Sequence, residues 1–213
     1  MKLAVVCSTP LHPVMPHLEA WKARKEQQGH EVSLVSSLAQ LAFGDLLFLV
    51  SCSDILDAGT RDRYRHCLVL HASDLPTGRG WSPYIWQVLE GADGIMVCLI
   101  EAANPVDSGA IWLRCHFDLE GHELLPEIHE VLFAAEISLM DEAVERLDEI
   151  RPVPQDDRAA THYPRRTPDD SRLDPEKSIA EQFNLLRVVD ADRFPAWFEY
   201  RGKRYLVRIE KDE

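Results

Sequence analysis

Six short apolar runs rich in β-branched residues punctuate the first 120 positions: LAVVC (3–7), EVSLVS (31–36), LLFLVS (46–51), CLVLH (67–71), IMVCLIEA (95–102) and IWLRCHF (111–117). Most are continuous rather than alternating, which is the pattern of strands covered on both faces. Helical patterns lie between several of them. One, at 17–29, ends at Gly29; another, at 83–91, opens with Pro83 and closes at Gly91. Strands alternating with helices predict an α/β fold, a Rossmann-like and mainly parallel sheet flanked by helices.

From 126 to 150 the residues Ile128, Val131, Leu132, Ala135, Leu139, Ala143, Val144 and Leu147 recur at helical spacing, with acidic residues largely opposite them. This predicts one long amphipathic helix packed on the sheet. Residues 151–175 hold five prolines and many charges, too irregular for an element. A helix over 178–189 and a hairpin around Arg201-Gly202-Lys203 complete the chain. The expected division is a domain over 1–150 and a C-terminal loop, helix and hairpin extension over 151–213.

With 23 Lys and Arg against 36 Asp and Glu, the chain carries a formal charge of −13. Such a surface repels a phosphate backbone, so no nucleic-acid partner is expected. Cysteines at 7, 52, 67, 98 and 115 fit neither a secreted disulfide framework nor a Cys-x-x-Cys knuckle, and they read as thiols in a reducing cytoplasm. The apolar stretches fall well short of the ~18 residues of a membrane span, and MKLAVVCSTP does not read as a signal peptide. The histidines, among them His116, His122 and His129, form no His-Glu-x-x-His or comparable set, so no metal is expected.

Two loops carry the chemistry. In HASDLPTGRGWSPYIWQVLEG (71–91), His71 ends a strand and opens a loop with two glycines and two prolines. That places an imidazole at the carboxyl edge of a parallel sheet, where α/β folds bind ligands. In IEAANPVDSGAIW (100–112) a strand runs into Asp107-Ser108-Gly109. A crossover between the two loops can return the chain to the same sheet edge, so that His71 and Asp107 face each other across a cleft. A carboxylate there orients the imidazole and holds it ready to take a proton. Trp81 suits a core anchor or a pocket wall equally, and Trp86 is assigned to the core. Arg165-Arg166, in the proline-rich segment, has the chemistry to grip a diphosphate.

At these residues the sequence resembles the folate-dependent formyltransferases. Their signature is a His-x-Ser-Leu-Leu-Pro loop with a following Arg-Gly and Pro, then an Asp-Thr/Ser-Gly loop about 35 residues later. The matches are His71, Ser73, Leu75, Pro76, Arg79-Gly80 and Pro83, followed by Asp107-Ser108-Gly109. Asp74 in place of the first Leu, together with Gly-Trp-Ser-Pro at 80–83, is similar to the branch that formylates nucleotide-linked amino sugars. So is the C-terminal stretch from Tyr163. The likeness covers most of the chain beyond residue 45.

The resemblance implies 10-formyltetrahydrofolate as co-substrate, a nucleotide-linked amino sugar as acceptor, and a place in lipopolysaccharide or glycan biosynthesis. It implies catalysis by His71 and Asp107, folate contacts from Ser73, Leu75, Pro76 and Asn104, and acceptor contacts from Arg79, Gly80, Trp81, Arg165 and Arg166. The superfamily has an Asn two residues before the motif His, thought to hold the developing oxyanion; this chain has Val69, which donates no hydrogen bond. Asn104 and backbone N–H groups of the 71–80 loop are the expected replacements.

The same motifs admit a methionyl-tRNA formyltransferase and a glycinamide ribonucleotide transformylase. The charge opposes the first, and the lack of a glycine-rich loop in CSTPLHPVMP opposes the second. A folate or nucleotide binder that has lost catalysis is the non-enzymatic alternative. The aromatic C-terminal hairpin must bury itself on the main domain or on a second subunit, and a homodimer is the expectation.

Overall fold

The computed structural model describes residues 1–212. Its first half alternates as the apolar runs require: β1 (Lys2–Val6), α1 (Met15–Gln27), β2 (Glu31–Val35), β3 (Gly44–Leu49), α2 (Ala58–Arg61) and β4 (Tyr64–His71). Then come β5 (Arg79–Gly80), α3 (Pro83–Leu89), β6 (Gly94–Glu101), β7 (Ile111–Asp118) and α4 (Leu125–Glu145). The chain closes with β8 (His162–Tyr163), α5 (Phe183–Arg187), β9 (Ala196–Tyr200) and β10 (Lys203–Val207).

Six strands form one sheet in the order β2-β1-β3-β4-β6-β7. The pairs among β2, β1, β3 and β4 are parallel, whereas β6 runs antiparallel to both β4 and β7. Strand alternation then sorts side chains to two faces. Leu68, Leu70 and Ala72 join Cys7, Val50 and the inward face of α4 in the largest core, while Cys67 and Val69 face the opposite side with Val6, Leu47 and Leu49. The second face carries the cleft described below.

Three expectations change in detail. The long helix ends at Glu145 instead of 150, and the chain turns through Arg146 before burying Ile150. The helix expected over 178–189 is one 3₁₀ turn at Ala180–Gln182 followed by the five-residue α5. The stretch at 151–175 is more ordered than its prolines suggest. It contains 3₁₀ turns at Asp157–Ala159 and Pro168–Ser171, and β8 pairs in parallel with β5. Val153 exchanges two backbone hydrogen bonds of 2.8 Å with Ile111, so this segment is laced to the sheet instead of trailing from it.

The expected hairpin is present, with Trp197 opposite Leu206 and Phe198 opposite Tyr205. Arg187, almost fully buried, anchors the C-terminal segment by donating from Nη2 to the Glu123 carboxylate at 2.6 Å and from Nε to the Glu123 carbonyl at 2.9 Å. Among the described residues no helix is long and apolar enough to cross a membrane.

Candidate active site

His71 is the last residue of β4, and its ring is 7% exposed. Nε2 lies 2.9 Å from the Gly78 carbonyl oxygen. A carbonyl only accepts, so Nε2 carries the proton and the neutral ring keeps its lone pair on Nδ1. Nδ1 lies 3.6 Å from Oδ1 of Asp107, whose side chain is 9% exposed. Gly78 thus fixes the ring, and Asp107 faces the nitrogen that would gain a proton.

The route by which these residues meet differs from a parallel crossover. Because β6 runs antiparallel to β4, with Leu68 opposite Glu101 and His71 opposite Cys98, the end of β6 points away from His71. The loop at 102–110 folds back to bring Asp107 to the histidine. Its base is closed by the Glu101 N–H donating to Ala110 O at 2.9 Å, and the Ala102 N–H donates to Cys67 O at 2.7 Å.

The loop lies so close to β6 that a Cβ on Gly109 would sit 1.7 Å from Glu101 O. Only glycine fits there. Asp107 itself has φ of 61°, left-handed backbone that a non-glycine residue holds only when its surroundings enforce it. The enforcing groups are visible. Its Oδ2 accepts the Gly80 N–H at 2.9 Å, and Gln155 Nε2 donates to the carbonyls of both Asp107 and Gly109 at 2.8 Å.

Beside Asp107 opens a cleft of about 310 Å³. Three residues in register across neighbouring strands, Leu49, Val69 and Ile100, line it together with the loop residues Asn104, Val106 and Asp107. Asp54, Asp57 and Glu101 add carboxylates, and Arg61 adds one cation. Val69 and His71 share a face of β4, so an apolar side chain occupies the position next to the imidazole on the cleft side. Asn104 is the one amide side chain among the lining residues.

The other sequence-derived candidates fall into different surroundings. Leu75 is a core residue packed with Cys98, Ile100 and Ile111. Ser73 is buried, its carbonyl accepting from Cys98 Sγ at 3.1 Å and its own Oγ without a partner among the described residues. Pro76 is half-buried in the same loop. Arg79 is buried and donates to Gln155 Oε1 at 2.8 Å and to Asp157 Oδ1 at 2.6 Å, tying the 71–80 loop to the segment after residue 150.

The Gly80 N–H is held by Asp107, and a Cβ on Gly80 would meet Tyr163 O at 2.4 Å. Trp81 is 47% exposed with the Arg165 guanidinium 5.0 Å above its ring. Arg166 is buried, donates to Ser171 Oγ at 3.0 Å and lies over the Phe194 ring. Trp86 is no core residue: half-buried, it stacks on Tyr163 and donates to Pro164 O at 3.0 Å.

Sequence reasoning missed Gln155 and the cleft floor. Gln155 sits in a proline-rich stretch with no motif around it. Leu49, Val69 and Ile100 read in sequence as ordinary strand residues, and only the sheet register brings them together.

The sheet carries a histidine at the end of β4 and an aspartate on the loop after β6, in an α/β fold that this chain shares with formyltransferases of known structure. The chain is similar in sequence to one formyltransferase and in fold to several. No protein-family profile matches it. It is 31% identical over 184 residues to a methionyl-tRNA formyltransferase of Ruegeria pomeroyi, an alignment covering 82% of this chain. The chain spans 60% of the length of that relative.

Among solved structures, HypX of Aquifex aeolicus in complex with tetrahydrofolic acid matches with a TM-score of 0.81 at 17% identity, over 98% of this chain and 37% of that one. A sugar N-formyltransferase from a Shewanella species matches with a TM-score of 0.73 at 12% identity, over 100% of this chain and 98% of that one.

Proposed function

We propose that this chain is an N-formyltransferase that moves the formyl group of 10-formyltetrahydrofolate to the primary amine of a nucleotide-linked amino sugar. The observation that carries the reading is the placement of Asp107, which faces His71 Nδ1 at 3.6 Å and at the same time lines the cleft. A group transferred from a donor in the cleft would therefore arrive beside a base.

The cleft suits a flat heterocycle with N–H donors. Leu49, Val69 and Ile100 offer an apolar floor, while Asp54, Asp57 and Glu101 offer acceptors. The solved relative with tetrahydrofolic acid bound supports a folate in this fold. The neighbouring sugar N-formyltransferase and the formal charge of −13 support a sugar acceptor over a polyanion.

In the reaction the acceptor amine attacks the formyl carbon, and the C=O electron pair moves onto oxygen. The ammonium formed on attack gives a proton to His71 Nδ1, and the Asp107 carboxylate stabilises the resulting imidazolium. Collapse of the intermediate breaks the bond to N10 of the folate, which takes that proton from His71. The oxyanion needs a donor that Val69 does not supply, and the Asn104 amide on the cleft wall is the proposed source. Trp81 with Arg165, at the edge of the 71–80 loop, is the proposed wall for the acceptor's base and phosphates.

The sequence relative favours a second reading, in which methionyl-tRNA is the acceptor. Incubating the full chain with 10-formyltetrahydrofolate and, in separate arms, UDP- and dTDP-linked amino sugars, glycinamide ribonucleotide and methionyl-tRNA tests both. Formylated sugar nucleotide, detected by mass with stoichiometric tetrahydrofolate, is expected. Formylated tRNA with unchanged sugars overturns the proposed acceptor, and no formylated product in any arm overturns the enzymatic reading.

A further inference from the structure

The backbone at 78–81 lies between the His71–Asp107 pair and the segment that ends in β8. Its inner edge meets both side chains of the pair. The Gly78 carbonyl lies 2.9 Å from His71 Nε2, and two residues on the Gly80 N–H donates to Asp107 Oδ2 at 2.9 Å. Alternation along the chain sends the Arg79 and Trp81 N–H groups to the outer edge. There they donate to the carbonyls of Thr161 at 2.9 Å and Tyr163 at 3.3 Å, as β5 pairs in parallel with β8.

Nothing in Gly78 itself fixes the direction of its carbonyl. Its φ of 76° is left-handed backbone that glycine takes freely, and a Cβ there would meet Ser73 Cβ and Tyr163 Cε2, each at 3.0 Å. The direction is therefore set by the peptide groups on either side, and Thr161 holds both. Its Oγ1 accepts the Gly78 N–H at 2.8 Å, and its carbonyl accepts the Arg79 N–H. The second of these peptides contains the Gly78 carbonyl, so its C=O faces His71 while its N–H faces Thr161, and each bond polarises the other. The strap at 161–163 is pinned in turn: Tyr163 Oη donates to Glu90 at 2.7 Å and its ring stacks on Trp86.

For His71 the direction of that carbonyl decides a tautomer. Two acceptors compete for the one proton of the neutral ring, Gly78 O at 2.9 Å from Nε2 and Asp107 Oδ1 at 3.6 Å from Nδ1. The carbonyl wins on distance. If it turned away, the proton would move to Nδ1 and donate to Asp107, and that nitrogen would have no lone pair with which to take a proton.

We propose that Thr161 is a positioning residue of the formyl transfer, fixing the Gly78 peptide group from outside the site so that neutral His71 keeps its proton on Nε2 and its lone pair on Nδ1. The proposal rests on the reading of Nδ1 as the base in that transfer. Thr161 is exposed and does not line the cleft, so its effect passes through Gly78.

The test compares the wild type with Thr161→Val and Thr161→Ser as full chains. Valine keeps the β-branched shape and removes the acceptor, whereas serine keeps an Oγ. Ring-nitrogen NMR of deprotonated His71, assigned by loss of the signal in His71→Asn, reads the tautomer directly, and steady-state formyl transfer is recorded on the same proteins. The Nε2–H tautomer is expected in the wild type and in Thr161→Ser. Thr161→Val is expected to shift toward Nδ1–H, with kcat lowered ~3–10-fold and the KM for both substrates unchanged. A wild-type tautomer or a wild-type kcat in Thr161→Val overturns the proposal, even in a protein that is less stable, and so does a wild type protonated on Nδ1. A wild type that formylates no amino-sugar nucleotide overturns the functional reading. In that case a shifted tautomer in Thr161→Val still supports the hold of Thr161 on His71, and an unshifted one overturns it.

Discussion

Gln155 holds Asp107 in place across 48 residues of sequence: its Nε2 donates to Asp107 O and to Gly109 O, while its Oε1 accepts from Arg79. One amide thus clamps the loop that carries the carboxylate to the loop that follows His71. Gln155→Ala leaves two carbonyls and a buried guanidinium short of partners. The expected outcome is a loss of ~1–3 kcal/mol in stability by urea unfolding and a fall in kcat exceeding any change in the KM for either substrate, because the left-handed Asp107 relaxes away from His71. Unchanged kcat in a variant that is measurably less stable would separate the clamp from the chemistry.

In the proposed reaction the apolar Val69 would leave oxyanion stabilisation to another donor, and Asn104 is the amide on the cleft wall. Asn104→Ala is expected to lower kcat by ~10²-fold, and Val69→Asn, which introduces an amide beside His71, is expected to restore a large part of that loss in the double variant. Steady-state kinetics on the four proteins checks the cycle. Purely additive effects would assign the two positions independent roles.

Much of the fold was legible in the sequence, because continuous apolar runs and helix-ending glycines report directly on strands and helices. The pairing of His71 with Asp107 was legible as well, through the two motifs. The path between them was not. Composition does not distinguish a parallel β6 from an antiparallel one, since a strand buried on both faces reads the same in either direction. The five-residue α5 was overestimated because Leu185, Leu186, Val188 and Val189 continue a helical pattern past the point where Val188 leaves helical geometry. Gln155, the cleft floor and the strap at 161–163 depend on contacts between residues far apart in sequence, which local pattern does not carry.

Two buried groups on α4 predict opposite limbs in the pH dependence of stability. Glu136 titrates at about 8 in the folded chain because burial disfavours its charge, against ~4.3 when unfolded. The folded state binds the extra proton, so the stability tied to it is fully present below ~pH 4 and is lost as pH rises through 8. His129 is lowered to about 4, chiefly by burial and then by His12 and Arg193. Its unfolded value is ~6.5, so stability falls as pH drops from there towards 4. Melting temperatures from pH 4 to 9 are expected to show both limbs. Glu136→Gln flattens the alkaline one and His129→Gln the acid one, and a variant curve parallel to the wild type contradicts the assignment for that residue.

In the proposed reaction His71 takes the proton released when the acceptor amine attacks the formyl carbon. The direct measurement is kcat for formyl transfer to an amino-sugar nucleotide in His71→Asn, with calorimetric affinities for folate and acceptor recorded on the same protein. The expected result is a fall in kcat of ~10²–10⁴-fold, with both affinities close to wild type and the melting transition retained. A variant that formylates the sugar at near-normal rate contradicts it.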